Sequence, residues 1–129
     1  MIKVACGIIY RDDKLFLCRR NPNKHLGGYW EFPGGKLEFN EFPEDALKRE
    51  LEEELSMSVE IKNHFTTVIH KYENFVIELI AYECKFIKAD YLLNAHDKYE
   101  WLELNEIKNI KLSPADIPIL DKLTNVLNR

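Results

Sequence analysis

Leu47, Leu51 and Leu55 recur every fourth residue in a chain whose other apolar runs read as strands. Residues three and four apart share one face of an α-helix, so the segment from Pro43 to about Ser56 reads as a single amphipathic helix. Pro43 suits its first turn, and Glu44 and Asp45 complement the helix dipole there. Upstream, "IKVACGIIY" is almost continuously apolar and β-rich, "RDDK" is a turn, and "LFLCRR" reads as the returning half of a hairpin. "NPNKHLGGY" is a loop, and "YWEF" is a short strand that stops at Pro33 before Gly34 and Gly35. Downstream, "VEIKNHFTTVIHKY" and "NFVIELIAYECKFI" read as two long antiparallel strands joined near Glu73 and Asn74. "YEWLEL" is another strand and "LNEIKNI" a helical turn. "SPADIPILDKLTNVL" reads as a terminal helix, with Ser113 as N-cap candidate and Pro114 at its first position. Long hairpins mixed with two helices predict an α/β sandwich, a mixed β-sheet held between the central helix and the C-terminal helix. Residues 1–129 carry no repeats, linkers or low-complexity segments and are expected to form one domain.

Composition narrows the function classes. A net charge of -4 argues against a non-specific nucleic-acid or anionic-membrane binder, which presents a basic face. Cys6, Cys18 and Cys84 are scattered, without metal-type spacing, and two of them fall in buried strands, so they read as reduced core thiols of a cytoplasmic protein. The apolar start is ended by charge at Arg11, and no stretch is long enough to span a bilayer.

Between Gly34 and Leu55 the chain holds eight carboxylates in twenty-two residues. Glu50, Glu53 and Glu54 are helical neighbours on a different side from the leucine stripe. Like charges at these spacings cost a helix a few tenths of a kcal/mol per pair. Arg49 can pair with Glu53 but cannot neutralise three glutamates, whereas a hard divalent cation can. Mg²⁺ suits such oxygen ligands and commonly bridges them to substrate phosphates.

The spacing is also specific. Gly35, five residues, Glu41, seven residues, Arg49-Glu50-Leu51, one residue and Glu53-Glu54 form a string that resembles the Nudix box, the signature of hydrolases acting on a nucleoside diphosphate linked to another group. "WEFPGGKLE" looks like the MutT branch, which cleaves nucleoside triphosphates to monophosphate and pyrophosphate, and "GII", "RR" and "PAD-I-P" extend the similarity over most of the chain. Two positions depart from the pattern: the glycine after the box helix is Ser56, and a glycine often found before the first box glutamate is Asn40. Both places call for a left-handed backbone, which Asn tolerates and Ser adopts at about 1 kcal/mol.

The resemblance implies a Nudix-type α/β/α sandwich and a set of roles. Glu50, Glu53 and Glu54 would bind Mg²⁺ (Mn²⁺ as a substitute), with the Gly34 carbonyl as a backbone ligand. Glu50 and Glu53 are candidates for the general base. Glu100, just before Trp101, occupies the position of an additional glutamate that approaches the metals in MutT-like proteins. Alternation sends Arg19 and Arg20 to opposite faces, so only one should point at phosphate; the resemblance favours Arg20, with Lys36 as a second phosphate candidate. The base would sit against Phe32 and the segment bearing Asp116, which matches a position where MutT-type proteins carry a side chain that reads the purine edge. An ionised Asp only accepts hydrogen bonds, so it prefers an edge rich in N–H groups, such as oxidised guanine or the amine of cytosine.

The expected activity is therefore a Mg²⁺-dependent nucleoside triphosphate pyrophosphohydrolase acting on oxidised guanine nucleotides such as 8-oxo-dGTP. The alternative is the same chemistry on CTP, dCTP or 5-methyl-dCTP, since "PADIP" is similar to the bacterial CTP pyrophosphohydrolases. From another class, a non-catalytic nucleotide sensor is set against an intact set of box glutamates. The expected partner is a small nucleotide, with no nucleic acid and no membrane, in a monomer or homodimer.

Overall fold

The computed structural model describes residues 1–127. In chain order the elements are β1 (Ile2–Arg11), β2 (Lys14–Arg20), β3 (Trp30–Glu31), β4 (Gly34–Lys36), α1 (Pro43–Leu55), β5 (Met57–Lys71), β6 (Val76–Ala89), β7 (His96–Leu102), α2 (Leu104–Ile107), a 3₁₀ turn (Pro114–Asp116) and α3 (Ile117–Leu127). The strands form one seven-stranded sheet in the order β3-β2-β1-β6-β5, with β4 also on β1 and β7 on β2. β1 runs parallel to β6 and antiparallel to β2 and β4, so the sheet is mixed.

Each face of the sheet carries its own core, as the two apolar patterns require. On one, Leu47, Leu51 and Leu55 of α1 pack with Ala5, Phe16 and Met57, all buried. Each such leucine contributes about 1.5–3 kcal/mol of burial. On the other, Ile119, Leu120 and Leu123 of α3 pack with Ile8, Leu17 and Ile107. The expected sandwich of sheet between two helices is thus the observed one. The three cysteines are buried and free, and none of the described helices is long and apolar enough to cross a membrane.

α1 ends where the sequence expects it. Ser56 takes the left-handed conformation at φ 46° and ψ 49°, and its N–H returns to the carbonyls of Leu51 and Glu52. Asn40 is left-handed as well, at φ 61°. The C-terminal segment differs from expectation. Ser113 makes no side-chain cap, and a separate 3₁₀ turn precedes α3. Pro118 has no N–H to give the Pro114 carbonyl, so the turn closes by i→i−3 bonds, Asp116 N–H to Ser113 O at 2.9 Å and Ile117 N–H to Pro114 O. β7 also starts earlier than the apolar pattern suggests, because His96 already pairs with Arg20 across a bulge in β2–β7.

β1 meets β2 only at its far end, Tyr10 with Leu15 and Arg11 with Lys14, whereas its first half pairs with β4 from Val4 to Cys6. The sheet therefore forks, and the fork opens the cavity described next.

Candidate active site

The fork holds a cavity of about 480 Å³ whose walls come from β1, β6, the 3₁₀ turn and the tip of the β5–β6 hairpin. One end carries Glu31, Phe32 and Asp116; the other reaches Gly34, Gly35 and Lys36 beside the box. Backbone pairing positions the Asp116 end. Trp30 N–H donates to Lys111 O at 2.8 Å and Ser113 N–H to Trp30 O at 2.8 Å, which ties the 3₁₀ turn to the edge of β3. Asp116 Oδ2 then accepts the Phe32 N–H at 2.8 Å, and Ser113 Oγ lies 3.5 Å from Oδ1.

Asp116 is buried where it meets the cavity. Burial, with the Glu31 carboxylate nearby, pushes its carboxyl well above the usual Asp range, while the Phe32 N–H and the Ser113 hydroxyl act the other way.

Arg20, not Arg19, faces the cavity. Its Nε donates to the His25 carbonyl at 2.8 Å and its Nη1 lies 3.4 Å from Glu31 Oε2. Arg19 makes a bidentate pair with Asp97 at 2.6 and 2.9 Å instead. Phe32 is buried against the same cavity. Lys36 ends β4 exposed at the rim, with its carbonyl accepting from Arg49 at 3.1 Å.

The glycine pair works differently from the simple expectation of open access to a ligand. A Cβ on Gly34 would collide with the Ala5 carbonyl, so Gly34 is required by the β1–β4 pairing. A Cβ on Gly35 would overlap the Glu50 carboxyl. Gly35 therefore lets the box helix press its first metal-candidate carboxylate directly onto β4.

Arg49 organises the box. It grips Glu41 with two hydrogen bonds, Nε to Oε2 at 2.8 Å and Nη2 to Oε1 at 2.9 Å. Its Nη1 reaches Glu50 at 2.9 Å and Glu53 at 3.2 Å. Glu41 also accepts the Glu38 N–H at 2.9 Å. The Arg49 guanidinium and that N–H hold the Glu41 carboxyl down to about 2. Glu50 is shifted the other way, raised by desolvation against the partial relief that Arg49 gives.

Two features fit a cation at the box. Glu54 Oε2 is buried and accepts no hydrogen bond from any described residue, an arrangement that costs stability unless a further partner supplies charge. Glu50, Glu53 and Glu54 together present oxygen-only donors, the chemistry that Mg²⁺ and Mn²⁺ take. The carboxylates do not converge to within 4.8 Å in any group of three among the described residues. Glu100 stands apart: it is exposed on β7 opposite Leu17, while its neighbours Tyr99 and Trp101 pack with the α1 core.

A different trio does converge. Cys18, Glu31 and His96 bring ligand atoms within 4.8 Å of one another, a group that could hold a metal ion. Here, however, His96 Nε2 and Glu31 Oε2 already share a 2.8 Å hydrogen bond, and the Arg20 cation stands next to them. Those distances describe a hydrogen-bonded relay.

Sequence reasoning left Glu31 as the alternative to Trp30 and Phe32 for facing the pocket, read His96 as incidental, and missed Tyr72 and Phe75. The last two join His25 in an aromatic cluster at the hairpin tip, with ring centroids 5.2–5.5 Å apart. Only Glu31 gave a signal, by alternating with Trp30 and Phe32; the others meet through register and hairpin length.

The fold and the box together define a nucleotide-type hydrolase scaffold. The NUDIX domain family matches residues 4–122. The CTP pyrophosphohydrolase of Escherichia coli (strain K12) is 33% identical over 94% of this chain and 90% of its own. The 8-oxo-dGTP diphosphatase of Proteus vulgaris is 43% identical over 60% of this chain and 70% of its own. Among solved structures, the DNA mismatch repair protein MutT of methicillin-resistant Staphylococcus aureus 252 is 36% identical, with a TM-score of 0.76 over 96% of this chain and 95% of that one. The chain belongs to the Nudix family. It is an enzyme, a Nudix hydrolase of MutT-like fold.

Proposed function

We propose that this hydrolase is a Mg²⁺-dependent nucleoside triphosphate pyrophosphohydrolase that releases monophosphate and pyrophosphate, with oxidised guanine nucleotides such as 8-oxo-dGTP preferred. The observation that carries the reading is the continuous cavity from the Asp116 end to the glycine pair over which Glu50 is seated. A base at the first end would leave its phosphates at the second.

In this reading Glu50, Glu53 and Glu54 hold the cation, together with the Gly34 carbonyl. When bound, Mg²⁺ would offset charge on the phosphate oxygens and acidify a coordinated water. Glu50 or Glu53 would serve as the carboxylate base toward the attacking water. Arg49 keeps both in place from behind, and Glu41 fixes Arg49. Arg20 and Lys36 offer positive charge to the phosphates, Arg20 at the cost of its contact with Glu31. Glu100, apart on β7, would take at most a minor part. Phe32 packs against the base, and Glu31 and Asp116 supply carboxyl oxygens to its edge. Such acceptors suit 8-oxoguanine, whose edge offers several N–H groups.

A cytidine substrate is the second reading, favoured by the CTP pyrophosphohydrolase relative that spans nearly the whole chain. Cytosine too presents an amine donor next to ring acceptors. The test is kcat/KM across 8-oxo-dGTP, dGTP, CTP, dCTP and 5-methyl-dCTP, with products separated by ion exchange. The highest value for 8-oxo-dGTP is expected. A cytidine nucleotide at the top would retain the mechanism and replace the substrate.

A further inference from the structure

His96 takes no part in the chemistry above, yet it is only 4% exposed and hydrogen-bonds Glu31, which lines the cavity. It opens β7 directly opposite Arg20. Its Nε2 is 2.8 Å from Glu31 Oε2, and the same oxygen lies 3.4 Å from Arg20 Nη1. Two protein groups thus converge on one carboxylate oxygen. No described residue donates to the other, Oε1, and Glu31 lines the cavity. The backbone of Glu31 is tied down as well, since Cys18 Sγ donates to its carbonyl at 3.6 Å.

The tautomer of His96 follows from its surroundings. Nδ1 is buried with no hydrogen-bond partner among the described residues. A buried unpaired N–H costs more than an unpaired lone pair. A proton on Nε2, facing an acceptor-only carboxylate, satisfies the ring at the lower cost.

Resting on the reading of the cavity as the nucleotide pocket, we propose that His96 is a positioning residue for substrate recognition: by donating from Nε2 to Oε2 of Glu31 it fixes that carboxylate so that Oε1 is presented to an N–H or O–H donor of the bound nucleoside. The same contact holds Oε2 of Glu31 back from a full pairing with Arg20, which leaves the guanidinium free to turn to the phosphates. Without His96, Glu31 would swing onto Arg20 as a bidentate partner, and both would be withdrawn from the substrate.

The experiment compares His96→Leu and His96→Gln in the wild-type and Glu31→Gln backgrounds, using the best nucleotide of the panel. Gln retains an N–H donor; Leu fills space without one. The expected result is about a tenfold rise in KM for His96→Leu, the loss of one hydrogen bond to a charged group, with kcat within about twofold. His96→Gln should recover most of that rise, and His96→Leu should add nothing in the Glu31→Gln background. An unchanged KM, or an equal loss in both backgrounds, would overturn the proposal, the latter by assigning His96 a merely structural role. A second readout needs neither turnover nor a variant that folds: long-range ¹H–¹⁵N correlation spectra of the wild-type ring should show the Nε2–H tautomer at neutral pH, and an Nδ1–H ring would equally refute the proposal. A wild type that hydrolyses no nucleotide would instead defeat the functional reading while leaving the tautomer measurement to decide the His96–Glu31 contact.

Discussion

Glu50, Glu53 and Glu54 share a helix but not an environment. Glu50 is wedged over Gly35, Glu53 is mostly exposed, and Glu54 hides one unpaired oxygen. If all three serve the cation, each Gln variant should lower kcat/KM by on the order of 100-fold, the scale of losing one preorganised electrostatic contact. Glu100→Gln, exposed on β7, should cost less than about tenfold; initial-rate kinetics on the four variants checks both. Asp116 carries a different signature. Its folded carboxyl is raised, so the unfolded chain ionises first, and stability falls as pH climbs from the ordinary Asp value toward the folded one. Asp116→Asn retains an acceptor for the Phe32 N–H and removes that dependence. Its melting temperature should exceed that of the wild type at pH 8, with the gap closing toward pH 4 in thermal scans followed by circular dichroism.

Among the elements, α1 was the most legible from sequence, because leucine spacing, Pro43 and the paired acids all specify the same thirteen residues. Its stop was legible too, as a place wanting glycine. Ser56→Gly should raise unfolding free energy by about 0.5–1 kcal/mol, the strain relieved less the entropy glycine adds to the unfolded chain. A higher urea midpoint at unchanged slope would show it, and an unchanged midpoint would mean that the turn carries no strain. The C-terminal helix was legible only in outline. Pro118 splits it, and the resulting 3₁₀ turn is what swings Asp116 onto the Phe32 N–H. Sequence periodicity cannot place a side chain that depends on such a turn.

At the scale of the whole molecule, the sandwich and its two cores follow from the apolar patterns, but the fork in the sheet does not. It depends on β1 dividing its edge between β4 and β2, a matter of register between distant segments. Glu31 and His96 are sixty-five residues apart and meet because β3 and β7 both pair with β2, Glu31 opposite Cys18 and His96 opposite Arg20. The three box glutamates stand out in the sequence because they lie on one short helix, whereas the residues at the Asp116 end come from separate elements. Both halves act together if the cavity delivers a nucleoside triphosphate to a cation held by α1. The most direct test is to incubate the purified protein with 8-oxo-dGTP, with Mg²⁺ and again with Mg²⁺ chelated, and separate the products by ion exchange. Monophosphate and pyrophosphate in equal amounts are expected with the metal and none without it. Tight binding without turnover in Mg²⁺, or release of orthophosphate and a diphosphate, would contradict that expectation.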